Sequence, residues 1–60
     1  MNDLSLTKAA FALWLEHNND DTEAIVRLCA ERDWGKGTVV IFDYNSAVVK
    51  SRDGKEAELS

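Results

Sequence analysis

The sequence holds one cysteine, Cys29, one histidine, His17, and no proline. A single thiol closes no intrachain disulfide, which removes the usual support of small secreted scaffolds and fits a reducing compartment, so the expected location is cytoplasmic. Structural zinc takes four closely spaced soft ligands, and His17 and Cys29 stand alone; no metal and no cofactor is expected. Nucleophilic catalysis wants a serine or cysteine beside a histidine that a carboxylate orients, and one histidine in a helix tail does not supply it. A chain this short also has little room for a pocket of about 300 Å³, so it is not expected to be an enzyme.

Long hydrophobic runs are missing too. The longest wholly apolar stretch, Ala9 to Leu15, falls far short of the ~20 residues that span a bilayer. MNDLSL has no basic leader region, so neither secretion nor membrane insertion is expected, and the untagged Met1 start is read as that of a complete small product. Glycine is scarce. Gly35-Lys36-Gly37 follows a helix and leads into a strand, the wrong polarity for a phosphate-cradling loop. NNDDTE has the oxygens of a calcium loop without its central glycine or distal glutamate, and reads as helix capping.

What is present is an acidic, ordered chain. Sixty residues with seven basic and eleven acidic side chains carry a net charge of -4, which argues against a nucleic-acid footprint over the whole surface. Such a chain makes one domain and buries only about 60% of the surface its unfolded form exposes, so its stability is marginal.

Ser5 is the expected N-cap of a first helix over Leu6 to Asn18, with Leu6, Ala10, Leu13, Trp14 and His17 on one face. Phe11 and Leu15 widen that face, which suggests a central helix. Asn18 and Asn19 end it. A second helix starts at Asp20 or Asp21, with Asp20 and Glu23 in a capping-box spacing, and ends near Asp33 or Trp34, ahead of Gly35. Ala24, Ile25, Leu28, Cys29 and Arg32 share its expected inner face, widened by Val26 and Ala30, while Glu23, Arg27 and Glu31 form an outer ladder of alternating charge. Thr38 to Tyr44 reads as a strand and Ala47 to Ser51 as a second. Asp53-Gly54 favours a type I′ turn, from which residues 56–60 return as a third strand or fray. The fold class is therefore α+β: two N-terminal helices on a small antiparallel hairpin or three-stranded meander, ααββ or ααβββ, in a single domain over residues 1–60.

The first strand raises the functional question. Thr38, Val40, Phe42 and Tyr44 alternate with Val39, Ile41 and Asp43, and both sets are largely apolar, whereas a half-solvated strand alternates with polar residues. The helices straddle the sheet, two copies pair, or a different protein covers the spare face. The leading expectation is a cytoplasmic protein-interaction module, self-associating as a homodimer, that inhibits or modulates a host macromolecule by occupying its surface. By class-level association it resembles the accessory proteins of phages and mobile elements. Trp34, Val40, Phe42 and Tyr44 are the expected anchors, and Glu16, Asp20, Asp21, Glu23 and Glu31 an acidic surface that steers it to a basic partner, including a nucleic-acid-binding host protein.

A helix-turn-helix would offer Asp20, Asp21 and Glu23 to phosphates and is repelled. The alternative reading is a dimeric DNA-binding regulator using a basic hairpin of Lys50, Arg52 and Lys55, which salt-dependent duplex binding would reveal. A third is a structural subunit that assembles only with itself, which sedimentation would show as growth beyond a dimer.

Overall fold

The computed structural model describes residues 3–60. Met1 and Asn2, which open the segment read as leaderless, lie outside the described residues. Helix α1 spans Ser5–His17 and helix α2 Asp20–Trp34, followed by strands β1 (Val39–Phe42), β2 (Ala47–Lys50) and β3 (Glu56–Leu59). The strands form one antiparallel meander, β1-β2-β3, so the ααβββ form of the expected α+β class is the one adopted.

The first helix is capped in an unexpected way. Ser5 is its first helical residue, and the cap position holds Leu4, whose side chain offers no oxygen. Leu4 takes a left-handed backbone with φ of 63°, a conformation that costs a non-glycine residue roughly 1–2 kcal/mol. Its side chain is almost fully buried, and burying a leucine is worth about 1.5–3 kcal/mol, enough to hold the strain. The exposed amide groups of the first turn are met by two aspartates instead. Asp3 Oδ1 accepts from Ser5 N at 3.2 Å and Ser5 Oγ at 2.7 Å, and Asp33 from α2 accepts from Thr7.

Asn18 closes α1 with φ of 52° and sends its N–H to the Trp14 carbonyl, as asparagine beyond a helix end does. The capping box of α2 falls one residue earlier than the Asp20–Glu23 pair suggests. Asn19 Oδ1 accepts from Thr22 N at 2.9 Å, and Thr22 Oγ1 accepts from Asn19 N at 3.3 Å. Asp20, Asp21 and Glu23 keep their place in the first turn, where their charge complements the helix dipole. Gly35 ends α2 at φ of 104°, a backbone only glycine adopts without strain, although more extended than the left-handed cap expected there.

The loops shorten the strands at both ends. Asp43 N donates to the Ser46 carbonyl and turns the chain, so Asp43 and Tyr44 belong to a connection and not to β1. Between β2 and β3, Ser51 N donates to the Lys55 carbonyl and Gly54 N to the Ser51 carbonyl. Only Gly54 has positive φ there, whereas a type I′ turn needs it at both central residues, so the expected two-residue hairpin is a longer loop.

Register then decides which face is wet. Val40 pairs with Val49 and Val49 with Ala57, while Phe42 pairs with Ala47 and Ala47 with Leu59. These residues share the inner face and join Leu4, Ala10, Phe11, Trp14, Val26 and Ala30 in one core. Both helices thus lie on the same side of the sheet, and the straddled arrangement does not occur. Trp14 sits at the centre, 5.5 Å from the Phe11 ring and 4.8 Å from Phe42.

The helices meet this core with faces rotated from those expected. The buried residues of α1 are Thr7, Ala10, Phe11 and Trp14, and those of α2 are Thr22, Val26 and Ala30. Leu6, Leu13, Ile25 and Leu28 stay substantially exposed, so α1 is a surface helix and not a central one. Thr7 and Thr22 occupy interior positions because their hydroxyls are satisfied, Thr7 by Asp33 and Thr22 by Asn19, which makes burial of a polar side chain inexpensive.

Candidate interaction surface

The outer face of the sheet carries two cross-strand rows. Val39, Lys50 and Glu56 form one, and Ile41, Val48 and Glu58 the other. Val39 and Ile41 are each 52% exposed, and Val48 is half-buried beside them. Lys50 Nζ lies 3.5 Å from Glu56 Oε2. The face is therefore apolar at Val39, Ile41 and Val48, with Lys50 of β2 paired to Glu56, and keeps an unanswered negative charge at Glu58, which lacks a cation in its row.

The residues expected to anchor a partner are not gathered here. Val40 is buried in the core and presents no surface. Phe42 is half-buried on the inner face against Trp14, with the Arg27 guanidinium 5.0 Å above its ring. Trp34 is half-buried at the end of α2, and Lys55 Nζ stands 5.0 Å over it. Tyr44, 84% exposed, projects from the β1–β2 turn. The expected acidic group is distributed: Glu16 lies near the end of α1, Asp20 and Asp21 open α2, Glu23 pairs with Arg27 at 3.4 Å, and Glu31 lies farther along α2.

The alternative basic hairpin is similarly occupied. Lys50 faces Glu56 and Lys55 covers Trp34. The aliphatic stem of Arg52 packs by Gly37, where an added Cβ would stand 3.0 Å from its Cδ. Asp53, Glu56 and Glu58 are interleaved among these cations, so phosphate attraction is offset within the hairpin itself.

Val39, Ile41 and Val48 are the surface residues that the expected anchors do not include. The sequence signal for them is the polarity of their neighbours: Lys50, Glu56 and Glu58 share the outer face, while Ala47, Val49, Ala57 and Leu59 share the inner one. That signal becomes readable only with the register fixed, and loops of uncertain length leave it open.

Elsewhere, burial raises the Cys29 thiol pKa, with the nearby Asp33 charge adding to it, so the thiol stays protonated and weakly reactive. Hydrogen bonds from Ser5 lower the Asp3 carboxyl, and one from Ser51 lowers Asp53. Among the described residues no cluster of three or more His, Cys, Asp or Glu side chains is placed to hold a metal ion, and no helix is long and apolar enough to cross a membrane. No protein-family model, curated protein or solved structure matches this chain.

Proposed function

We propose that the protein is a cytoplasmic interaction module that acts by occupying a surface of another macromolecule and performs no catalytic step. The observation that supports this reading is the pair of half-exposed residues Val39 and Ile41 on an uncovered sheet face, bounded by Glu56 and Glu58. Water is a poor neighbour for two β-branched side chains on the same face as a third, Val48, which pairs with Ile41, and covering them releases about 25 cal/mol per Å² of apolar surface.

The acidic margin selects the occupant. With the same face of a second copy laid β3 over β3, the Glu58 charges, which no cation in their row answers, would lie close to the second copy's acidic strand, which costs affinity. A different protein that presents an apolar ridge beside lysine or arginine satisfies both halves of the surface, and the net charge of -4 steers it in. The reading also includes self-association, which the sheet face is ill suited to provide.

The test is capture of a binding protein on the wild-type chain and on Ile41→Glu, with Tyr44→Ser as a surface control. Ile41 is exposed, so the fold survives the change. The proposal expects a discrete basic protein held by wild type and Tyr44→Ser and released by Ile41→Glu. The same protein retained equally by all three chains would refute it.

A further inference from the structure

The helices carry a second apolar surface that the sheet-face reading does not use. On α1, Lys8, Phe11, Ala12 and Leu15 line a groove with Glu58 and Leu59 of β3, so this flank of the helix faces the sheet. On α2, Arg27 lies over Phe42 of β1, so its flank with Glu23 and Arg27 faces the sheet as well. The opposite flanks must point away from it. They hold Leu6 and Leu13, seven residues apart and hence in one stripe, and Ile25 and Leu28, three apart. The bond from Thr7 at the start of α1 to Asp33 at the end of α2 makes the helices antiparallel, and Ala10 and Ala30 in the core let them approach closely. The two stripes therefore flank one interhelical groove, with Leu6 52% and Leu28 64% exposed.

The charges on this face are arranged for a twofold axis. Along α2 the order is Asp21, Ile25, Leu28, Arg32, and these positions are symmetric about the midpoint between Ile25 and Leu28. Asp21 and Arg32 lie eleven residues, roughly 16 Å, apart. We infer that a second copy of this chain docks here, α2 antiparallel to α2, placing Ile25 on the second copy's Leu28 and Asp21 level with its Arg32, and making a four-helix layer with one sheet on each side. Turning the copy end for end instead would set Asp21 against Asp21 and Arg32 against Arg32, so charge fixes the antiparallel sense. The whole chain measures 29 × 17 × 17 Å along its principal axes, so one face offers at most roughly 500 Å² per copy, or about 1,000 Å² in all, below the standard range for stable interfaces; the dimer is concentration-dependent.

This assignment rests on the self-associating part of the proposed function and leaves the sheet face free for a different partner. Sedimentation of the full chain from micromolar to submillimolar concentration tests it, with circular dichroism confirming the fold of each variant. Wild type and Ile41→Glu are expected to dimerise alike, and Leu28→Glu to weaken the dimer at least ~10-fold. Asp21→Arg alone and Arg32→Asp alone create like-charge contacts and each weaken it about 10-fold, while the double reversal returns to within ~3-fold of wild type. A wild-type chain that stays monomeric throughout overturns the inference. So does a dimer indifferent to Leu28→Glu, a dimer abolished by Ile41→Glu, or a double reversal without recovery. Should a charge-reversed chain fail to fold, the Leu28→Glu result decides alone. Loss of sheet-face capture with the dimer intact would count against the other reading only.

Discussion

Replacing Asp33 by alanine should cost this protein a large part of its stability, although the residue stands outside the apolar core. Asp33 Oδ2 accepts from Thr7 N at 2.9 Å and from Thr7 Oγ1 at 2.7 Å. Thr7 is in the first turn of α1, so the first bond supplies from another helix the cap that Leu4 lacks. Loss of an N-cap costs about 1 kcal/mol. Thr7 is fully buried, and a buried hydroxyl left without its acceptor costs a further 1–3 kcal/mol or so. The sum is about 3 kcal/mol. A sixty-residue chain at 0.05–0.15 kcal/mol per residue has roughly 3–9 kcal/mol in total, so Asp33→Ala removes a third or more of it. The midpoint of thermal unfolding should fall by about 12–24 °C, followed through tryptophan fluorescence. Thr7→Val keeps the amide bond and removes the hydroxyl donor, so a double-mutant cycle with Asp33→Ala should show about 1–2 kcal/mol of coupling. A loss below ~1 kcal/mol for Asp33→Ala, or strict additivity in the cycle, would refute the capping argument.

Three other outcomes follow from single features of the core and loops. Trp14 Nε1 is buried without a hydrogen-bond partner; Trp14→Phe removes that orphan donor, and its loss of packing should be largely offset, giving a urea-midpoint change worth less than about 1 kcal/mol against roughly 3–5 for Trp14→Ala. Gly37 has φ of 92° and sits against the Arg52 stem, so Gly37→Ala should destabilise by about 1–2 kcal/mol in the same assay, more than Gly→Ala at a relaxed position. Asp3 has its folded carboxyl pKa lowered by the Ser5 bonds; its contribution is present above the ordinary carboxylate range and fades as pH falls through the lowered value. Amide protection in the first turn of α1, measured as the exchange rate relative to that of an unstructured chain at the same pH, should therefore fall on acidification in wild type and lose that component of its pH dependence in Asp3→Asn.

Much of the architecture is legible from residue chemistry acting locally. Asn18 and Asn19 mark the break between helices, Gly35 ends the second, and the β-branched run after Thr38 becomes a strand. The helix faces are not legible in the same way. Periodicity counts leucine and isoleucine as interior and threonine as surface, yet here Thr7 and Thr22 find oxygen partners and turn inward. Rotating each stripe toward its threonine places Leu6, Leu13, Ile25 and Leu28 outside. A tertiary bond such as Thr7 to Asp33, spanning twenty-six positions, leaves no signature in a window of one helix. The same logic hides the outer face of the sheet from the sequence. Val40 and Phe42 are as apolar as Val39 and Ile41, and only pairing with Val49 and Ala47 reveals which pair is inside.

Two layers of secondary structure have two outer surfaces, and each here leaves apolar side chains exposed, Val39 and Ile41 on the sheet and Leu6, Leu13, Ile25 and Leu28 on the helices. The two surfaces nevertheless differ in symmetry, and that difference assigns their roles. On the helical side Asp21 and Arg32 exchange places under a twofold rotation, so a second copy answers each charge with its opposite. On the sheet side Glu56 and Glu58 lie along one margin, and a twofold rotation that lays β3 on β3 sets them against themselves. On the proposed reading the first surface closes on a copy of this chain, and the second, where Lys50 already answers Glu56, takes a molecule that brings a cation to Glu58. A dimer formed through the helices would then display two acidic-edged sheet faces on opposite sides, able to engage two basic partners or two sites on one. Coupling between the faces follows from that geometry: dilution below the dimer threshold should weaken capture by a bivalent target far more than by a monovalent one, since effective concentration acts only while both copies stay joined.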